Sequence, residues 1–180
     1  MAKRMPRVAV VHCAGGTAPL DGIVREELPH DCAQIKAAHP NGIGVCLWGC
    51  LGGGSCEAAC PFGAIHVDAD RHVAVVDRDA CRGCGKCAKA CPQHLITVAP
   101  AANAIQVRCS NQDRGPAARK ACPNSCIGCG MCERVCPMGA VRVVDGRAVI
   151  DDEKCVACGM CATKCPRGAI HDANGIMAVR

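Results

Sequence analysis

Aromatic residues are almost absent from this chain: it has no tyrosine, one tryptophan (Trp48) and one phenylalanine (Phe62) in 180 residues. Alanine, valine and glycine cannot fill a large core by themselves, so the chain needs covalent or metal staples. No apolar stretch approaches the length of a membrane-spanning helix. The N-terminus MAKRMPRVAVVHC has a basic start, but its VAVV run is too short for the hydrophobic region of a secretory signal. Lys and Arg are scattered, without a basic stripe or stacking aromatics, so no nucleic-acid partner is expected. No GK[ST] or GxGxxG frame follows Gly52-Gly53-Gly54, which resembles a phosphate loop only superficially. There is no flavin or nicotinamide fingerprint and no nucleophile–base–orienter set. No catalytic residue is expected.

What is abundant is cysteine, at twenty residues in 180. Usage this far above average marks either a secreted disulfide scaffold or a metal-cluster protein. Without a secretory signal, a reducing cytosolic setting fits, and there cysteine clusters bind metal.

The cysteines follow a repeat. Cys-Pro and a short apolar run recur as CPFGAI from Cys60, CPQHLI from Cys91, CPMGAV from Cys136 and CPRGAI from Cys165. Between the first two lies HVDADRHVAVVDRDAC, and between the last two RVVDGRAVIDDEKC. Both read as hairpins, the second around an Asp145-Gly146 turn. VAVVHC at Cys13 and IQVRC at Cys109 match as strand-like runs ending in cysteine, so residues 13–91 and 109–165 each hold ten cysteines. TVAPAANA, residues 97–104, is the natural junction.

Three runs have the spacing C-x2-C-x2-C-x3-C-P: CRGCGKCAKACP from Cys81, CIGCGMCERVCP from Cys126 and CVACGMCATKCP from Cys155. Three thiolates on one tight loop reach three corners of a [4Fe–4S] cubane, and the fourth cysteine ligates the other cluster of a pair. A disulfide framework would not demand this spacing, and zinc sites close with two CxxC pairs. The crossover predicts one cluster on Cys126, Cys129, Cys132 and Cys165 and its partner on Cys136, Cys155, Cys158 and Cys161. In the first half it predicts a cluster on Cys60, Cys81, Cys84 and Cys87.

The fourth loop, CLWGCLGGGSCEAACP, is altered. Gly53 stands where its equivalent, Cys129, would supply a ligand. Cys46 and Cys122 match four residues upstream of each loop. Cys46 is therefore expected to fill the missing corner beside Cys50, Cys56 and Cys91. That leaves Cys13, Cys32, Cys109 and Cys122 for a fifth cluster or as ordinary buried thiols. Four clusters are expected, with a fifth left open.

The remaining candidates are weaker. His12, His30, His39, His66, His72, His94 and His171 show no ligand spacing and are expected mostly at the surface. Glu57 and Glu133 occupy matching positions, expected on a solvated helix face. Trp48 is expected to shield a cluster from water. The formal net charge of +5 treats every cysteine as neutral. Each four-thiolate cluster carries about −2 when oxidised, so four clusters reverse the sign.

VAVVHCAGG, LPHDCAQI, GVCLWGCLGGGSCEAACPFGAI and the CSNQDRG before the second pair together resemble the B subunit of the Rnf electron-transport complex, in its long, cluster-rich form. The resemblance covers nearly the whole chain. It implies a relay that takes electrons from soluble ferredoxin and passes them to other Rnf-type subunits, in a complex coupling NAD reduction to sodium or proton translocation. The family normally begins with a membrane helix and a further four-cysteine domain. The sequence carries neither ahead of VAVV, so membrane contact is expected only through partners, at the cytoplasmic face of the inner membrane.

The expected fold class is α+β: tandem bacterial-type dicluster ferredoxin-like modules after an N-terminal strand and loop region. The expected domains are residues 1–45 with Cys13 and Cys32, 46–99 as the first, altered module, and 100–180 as the second. Two other readings remain open at this level. One is a free-standing soluble polyferredoxin; the other is a cluster-stabilised interaction module without electron traffic.

Overall fold

The computed structural model describes residues 5–175; the basic residues 1–4 lie outside them. The first half of the chain contains β1 (Arg7–Val11), a single 3-10 turn at Arg25–Glu27, α1 (Cys32–Ala38) and α2 (Ser55–Ala58). It continues with β2 (Ile65–Asp68), β3 (Val73–Val76), α3 (Lys86–Ala90) and β4 (Ile96–Pro100). The second half repeats the order as β5 (Ile105–Val107), α4 (Gly115–Ala121), α5 (Met131–Val135), β6 (Val141–Val144), β7 (Arg147–Ile150), α6 (Met160–Thr163) and β8 (Ile170–Asp172). Among the described residues no helix is long and apolar enough to cross a membrane.

The strands form two-stranded antiparallel ladders, and no sheet closes. In each half the opening strand pairs with the last: β1 with β4 in the register Val8↔Ala99 and Val10↔Thr97, and β5 with β8 in the register Val107↔Ile170. Strand β1 therefore completes the first module, where the sequence led us to expect a separate segment over residues 1–45. Only the excursion between β1 and α2 stands apart, with its own small core of Cys32, Ile35, Ile43 and Leu51.

The hairpins form where the alternating valines predict them, β2 with β3 and β6 with β7. Asp145 and Gly146 both have positive φ, 47° and 77°, as a tight two-residue hairpin turn requires. Glu57 and Glu133 are exposed but not merely solvated. Each carboxylate accepts from a hairpin amide, Val67 N at 2.8 Å and Val143 N at 3.1 Å, and so clamps α2 to β2 and α5 to β6. The larger cores are built around sulfur. Ala9, Val11, Ile65, Ala74, Leu95 and Ile96 pack with Cys56 and Cys87 in one, and Ile105, Val107, Val141 and Ile170 with Cys126, Cys132 and Cys161 in the other.

Of the expected junction at 97–104, residues 97–100 belong to β4, and only residues 101–104 connect it to β5. The buried Asn103 amide donates to the Asp152 carbonyl and carboxylate, both at 3.0 Å. Across the same seam the His12 ring contacts the Val107 carbonyl and the Thr97 hydroxyl, each at 2.8 Å. A carbonyl only accepts, so Nδ1–H donates to Val107, and in the neutral ring that burial favours Nε2 accepts from the Thr97 hydroxyl. Burial lowers the His12 pKa, with the Val107 bond opposing.

Two outcomes follow for the holoprotein. A His12→Phe variant should lose about 1–3 kcal/mol, because the buried Val107 carbonyl is left without its donor. The loss would be read as a lower anaerobic melting temperature. A folded-state pKa below the ordinary 6.5 means that stability is present above pH 6.5 and is lost as pH falls through the lowered value. Melting temperatures of the variant should therefore fall less steeply below that pH than those of the parent.

Candidate metal centre

Each intact loop enters its helix through a left-handed glycine: Gly85 before α3, Gly130 before α5 and Gly159 before α6, at φ 76°, 71° and 76°. That conformation, which Cβ disfavours, turns the chain tightly enough for three cysteines to share one loop. In all three loops the second cysteine, Cys84, Cys129 or Cys158, is exposed while the third, Cys87, Cys132 or Cys161, is buried.

The cysteines of each set are electrostatic neighbours. Cys126, Cys129, Cys132 and Cys165 line one cavity. Burial pushes the Cys132 thiol up to about 11, and Cys126, Cys165 and Cys129 add to it. The Cys161 thiol is raised to about 12, first by burial and then by Cys155, Cys132 and Cys136. Cys155 is raised by burial and, among its neighbours, by Cys158 and Cys136. Cys132 and Cys161 thus link two adjacent sets through α5 and α6. In the first module the Cys87 thiol is raised by burial and then by Cys81, Cys60 and Cys84.

The fourth cysteine of every run holds its sulfur toward a backbone amide four residues on. Cys60 accepts from Ala64 N at 3.4 Å, Cys91 from Leu95 N at 3.5 Å, Cys136 from Ala140 N at 3.3 Å and Cys165 from Ala169 N at 3.3 Å. Such bonds favour the thiolate and set the potential of what it ligates. At Cys136 burial raises the thiol, but the amides of Ala140, Met138, Val141 and Gly139 together outweigh it and hold the thiol below its ordinary value.

At the altered loop the structure exchanges two residues relative to expectation. Cys32, not Cys46, joins Cys50, Cys56 and Cys91 around one cavity walled by Leu51 and Ile96. The Cys56 thiol is raised to about 12 by burial, then by Cys50, Cys32 and Cys91. The cause lies at Gly53. A Cβ there would stand 2.7 Å from Ile35 Cδ1 and 2.9 Å from Cys32 N. The first turn of α1 occupies the space a side chain at 53 would need, and the same turn carries Cys32 to the cavity. Asp31 caps α1 by accepting from Ala33 N at 2.7 Å and Gln34 N at 3.3 Å, while Ser55 Oγ at the start of α2 accepts from Cys32 N at 2.7 Å. Cys32 is buried, unlike Cys84, Cys129 and Cys158 at the equivalent corner. Cys46 faces the second module, its amide donating to Thr17 Oγ1 at 2.9 Å. Trp48, partly exposed, lines an open groove with Pro92 and Gln93 beside Cys91.

The donor set fits an iron–sulfur cluster. All twenty cysteines are free thiols; sixteen fall into four sets of four, two of which line apolar-walled cavities, and a backbone amide is aimed at the fourth sulfur of every run. A single zinc ion draws its thiolates to about 2.3 Å from one point. Among the described residues no three His, Cys, Asp or Glu side chains are gathered to hold one metal ion. Paired quartets crossing between two loops define a tandem dicluster ferredoxin.

Family models described as the 4Fe-4S dicluster domain match residues 48–98 and, in overlapping pieces, residues 80–140 and 125–169. The chain belongs to the 4Fe-4S dicluster domain family. It is also 40% identical over 150 residues to the B subunit of the Na(+)-translocating ferredoxin:NAD(+) oxidoreductase complex of Acetobacterium woodii, covering 82% of this chain and 44% of that protein. The B subunit of the proton-translocating complex of Clostridium ljungdahlii is 40% identical over 81% of this chain and 51% of its own length. The B subunit of the ion-translocating oxidoreductase complex of Methanosarcina acetivorans is 44% identical over 61% and 41%. The chain therefore spans about half the length of the curated relatives it matches.

A Gly53→Ala substitution should overpack the contact with α1, costing about 1–3 kcal/mol. Displacing Cys32 with it should also remove about four iron atoms per chain. Unchanged iron content and melting temperature would show that α1 does not hold this corner.

Proposed function

We propose that this chain relays low-potential electrons, one at a time, as the iron–sulfur part of an ion-translocating ferredoxin:NAD oxidoreductase of the Rnf type. The supporting observation is the combination of paired all-cysteine sites with likeness to the B subunits of such complexes over about four-fifths of the chain. The ligand sets are Cys32, Cys50, Cys56 and Cys91; Cys60, Cys81, Cys84 and Cys87; Cys126, Cys129, Cys132 and Cys165; and Cys136, Cys155, Cys158 and Cys161. Bound [4Fe–4S] clusters supply one-electron redox chemistry at these sites.

The protein's own part is positional and electrostatic. Apolar walls keep water from the sulfurs, and the amides of Ala64, Leu95, Ala140 and Ala169 stabilise thiolate charge. The exposed corners at Cys84, Cys129 and Cys158 give a partner close approach to three sites. Soluble ferredoxin is the electron donor, and other subunits of the complex are the acceptors. The chain sits at the cytoplasmic face of the membrane through those subunits.

Anaerobically purified protein mixed with reduced ferredoxin should lose visible cluster absorbance as electrons move, and regain it on oxidation. Affinity capture from anaerobe membranes should recover flavin-carrying membrane subunits. Reversible reduction without any membrane partner would replace this reading with a free polyferredoxin. Clusters that low-potential donors cannot reduce would remove the carrier role altogether.

A further inference from the structure

Four cysteines remain outside the ligand sets above, and they form two equivalent pairs. Cys13 follows β1 as Cys109 follows β5, and Cys46 precedes Cys50 by four residues as Cys122 precedes Cys126. Cys13 Sγ accepts from the amide two residues on, Gly15 N at 3.4 Å, and Cys109 Sγ does the same from Asn111 N at 3.4 Å. Each module thus presents the same two thiols in the same local setting.

The fold brings the pairs together at the seam. Thr17 Oγ1 accepts from Cys46 N at 2.9 Å and donates to Ala121 O, next to Cys122, at 3.0 Å. The Gly15 carbonyl accepts from Cys122 Sγ at 3.6 Å and from Asn124 Nδ2 at 3.1 Å. Cys122, Cys13 and Cys109, the three other members of the group, all lie within electrostatic reach of the Cys46 thiol.

The surroundings suit an anion. Arg71 donates to Ala14 O at 2.8 Å, Arg108 to Cys13 O at 3.5 Å and Arg167 to Cys122 O at 3.2 Å. Asn111, fully buried beside Cys109, has an amide Nδ2 without an acceptor.

We propose that Cys13, Cys46, Cys109 and Cys122 form a fifth [4Fe–4S] site at the interface of the two modules, with two ligands from each. The arginines offset its net charge of about −2, and the Asn111 amide donates to its sulfur. The site also stands between two others. Cys13 lies within electrostatic reach of Cys50, and Cys109 Sγ accepts from Cys126 N at 3.2 Å. It therefore joins the innermost site of the first module to the nearer site of the second. The assignment rests on the other four sites being iron–sulfur clusters, and it is independent of which partner they serve.

The test is metal and sulfide analysis, with Mössbauer spectra, of the full chain purified and reconstituted without oxygen. About twenty iron atoms per chain, all in [4Fe–4S] form, is the expected result. Cys46→Ala and the double variant Cys46→Ala/Cys122→Ala should each lose about four, because the two residues share one cluster. Cys46→Ala/Cys56→Ala should lose about eight, and Cys32→Ala/Cys56→Ala only about four. About sixteen iron atoms in the parent, with or without one zinc, would overturn the fifth site and leave the electron-carrier reading standing. A loss of eight from Cys46→Ala/Cys122→Ala would overturn the ligand set. If the variants strip all iron, the parent's count still decides. Fewer than about twelve iron atoms in the parent would overturn both readings.

Discussion

The constraint that governs this structure is the placement of thiolates at the corners of cubanes. A cluster fixes four points in space, and the chain must bring sulfur to each from a loop and from a Cys-Pro turn elsewhere. With one tryptophan, one phenylalanine and no tyrosine, there is little else to hold a core. The valines, alanines and isoleucines of the two cores are packed around sulfur, so cofactor assembly and folding are one process. Backbone detail follows from the same demand: left-handed glycines ahead of the short helices, and amides turned toward the fourth cysteine of every run.

Wherever the local frame decides the outcome, the sequence was legible. The three intact runs, the Cys-Pro turns, the two hairpins and the internal repeat could all be read, because their signals lie within a dozen residues. Three features were not legible, each for a tertiary reason. Strand β1 belongs to the first module because it pairs with β4, and nothing in VAVV names so distant a partner. Glu57 and Glu133 look like solvated helix residues until the hairpin amide ten residues on is seen beside them. The exchange of Cys32 and Cys46 depends on α1 lying against Gly53. The usable signal was the glycine itself: where a ligand is missing and the smallest residue replaces it, another element fills the space.

The two halves solve one problem differently. The second module keeps the ordinary loop, and its cluster corner at Cys129 faces solvent. The first module covers the equivalent corner with an inserted helix that brings its own buried cysteine. One module therefore has an open edge at each of its two sites, while the other has one open and one enclosed. That asymmetry distinguishes the two halves of a duplicated fold, with exposed second cysteines in three loops and a buried one at the altered loop.

The pairing of β1 with β4 also has a consequence in time. Strand β1 is the first described element to leave the ribosome, yet its partner follows only at Ile96–Pro100. Until then an apolar strand and ten cysteines are present in a chain that cannot close. Long-range pairing of this kind is slow and leaves edges open to wrong partners. The nascent first half therefore depends on protection of its thiols from oxygen and stray metal ions. A cell that makes this protein has to guard an unfinished chain as well as a finished one.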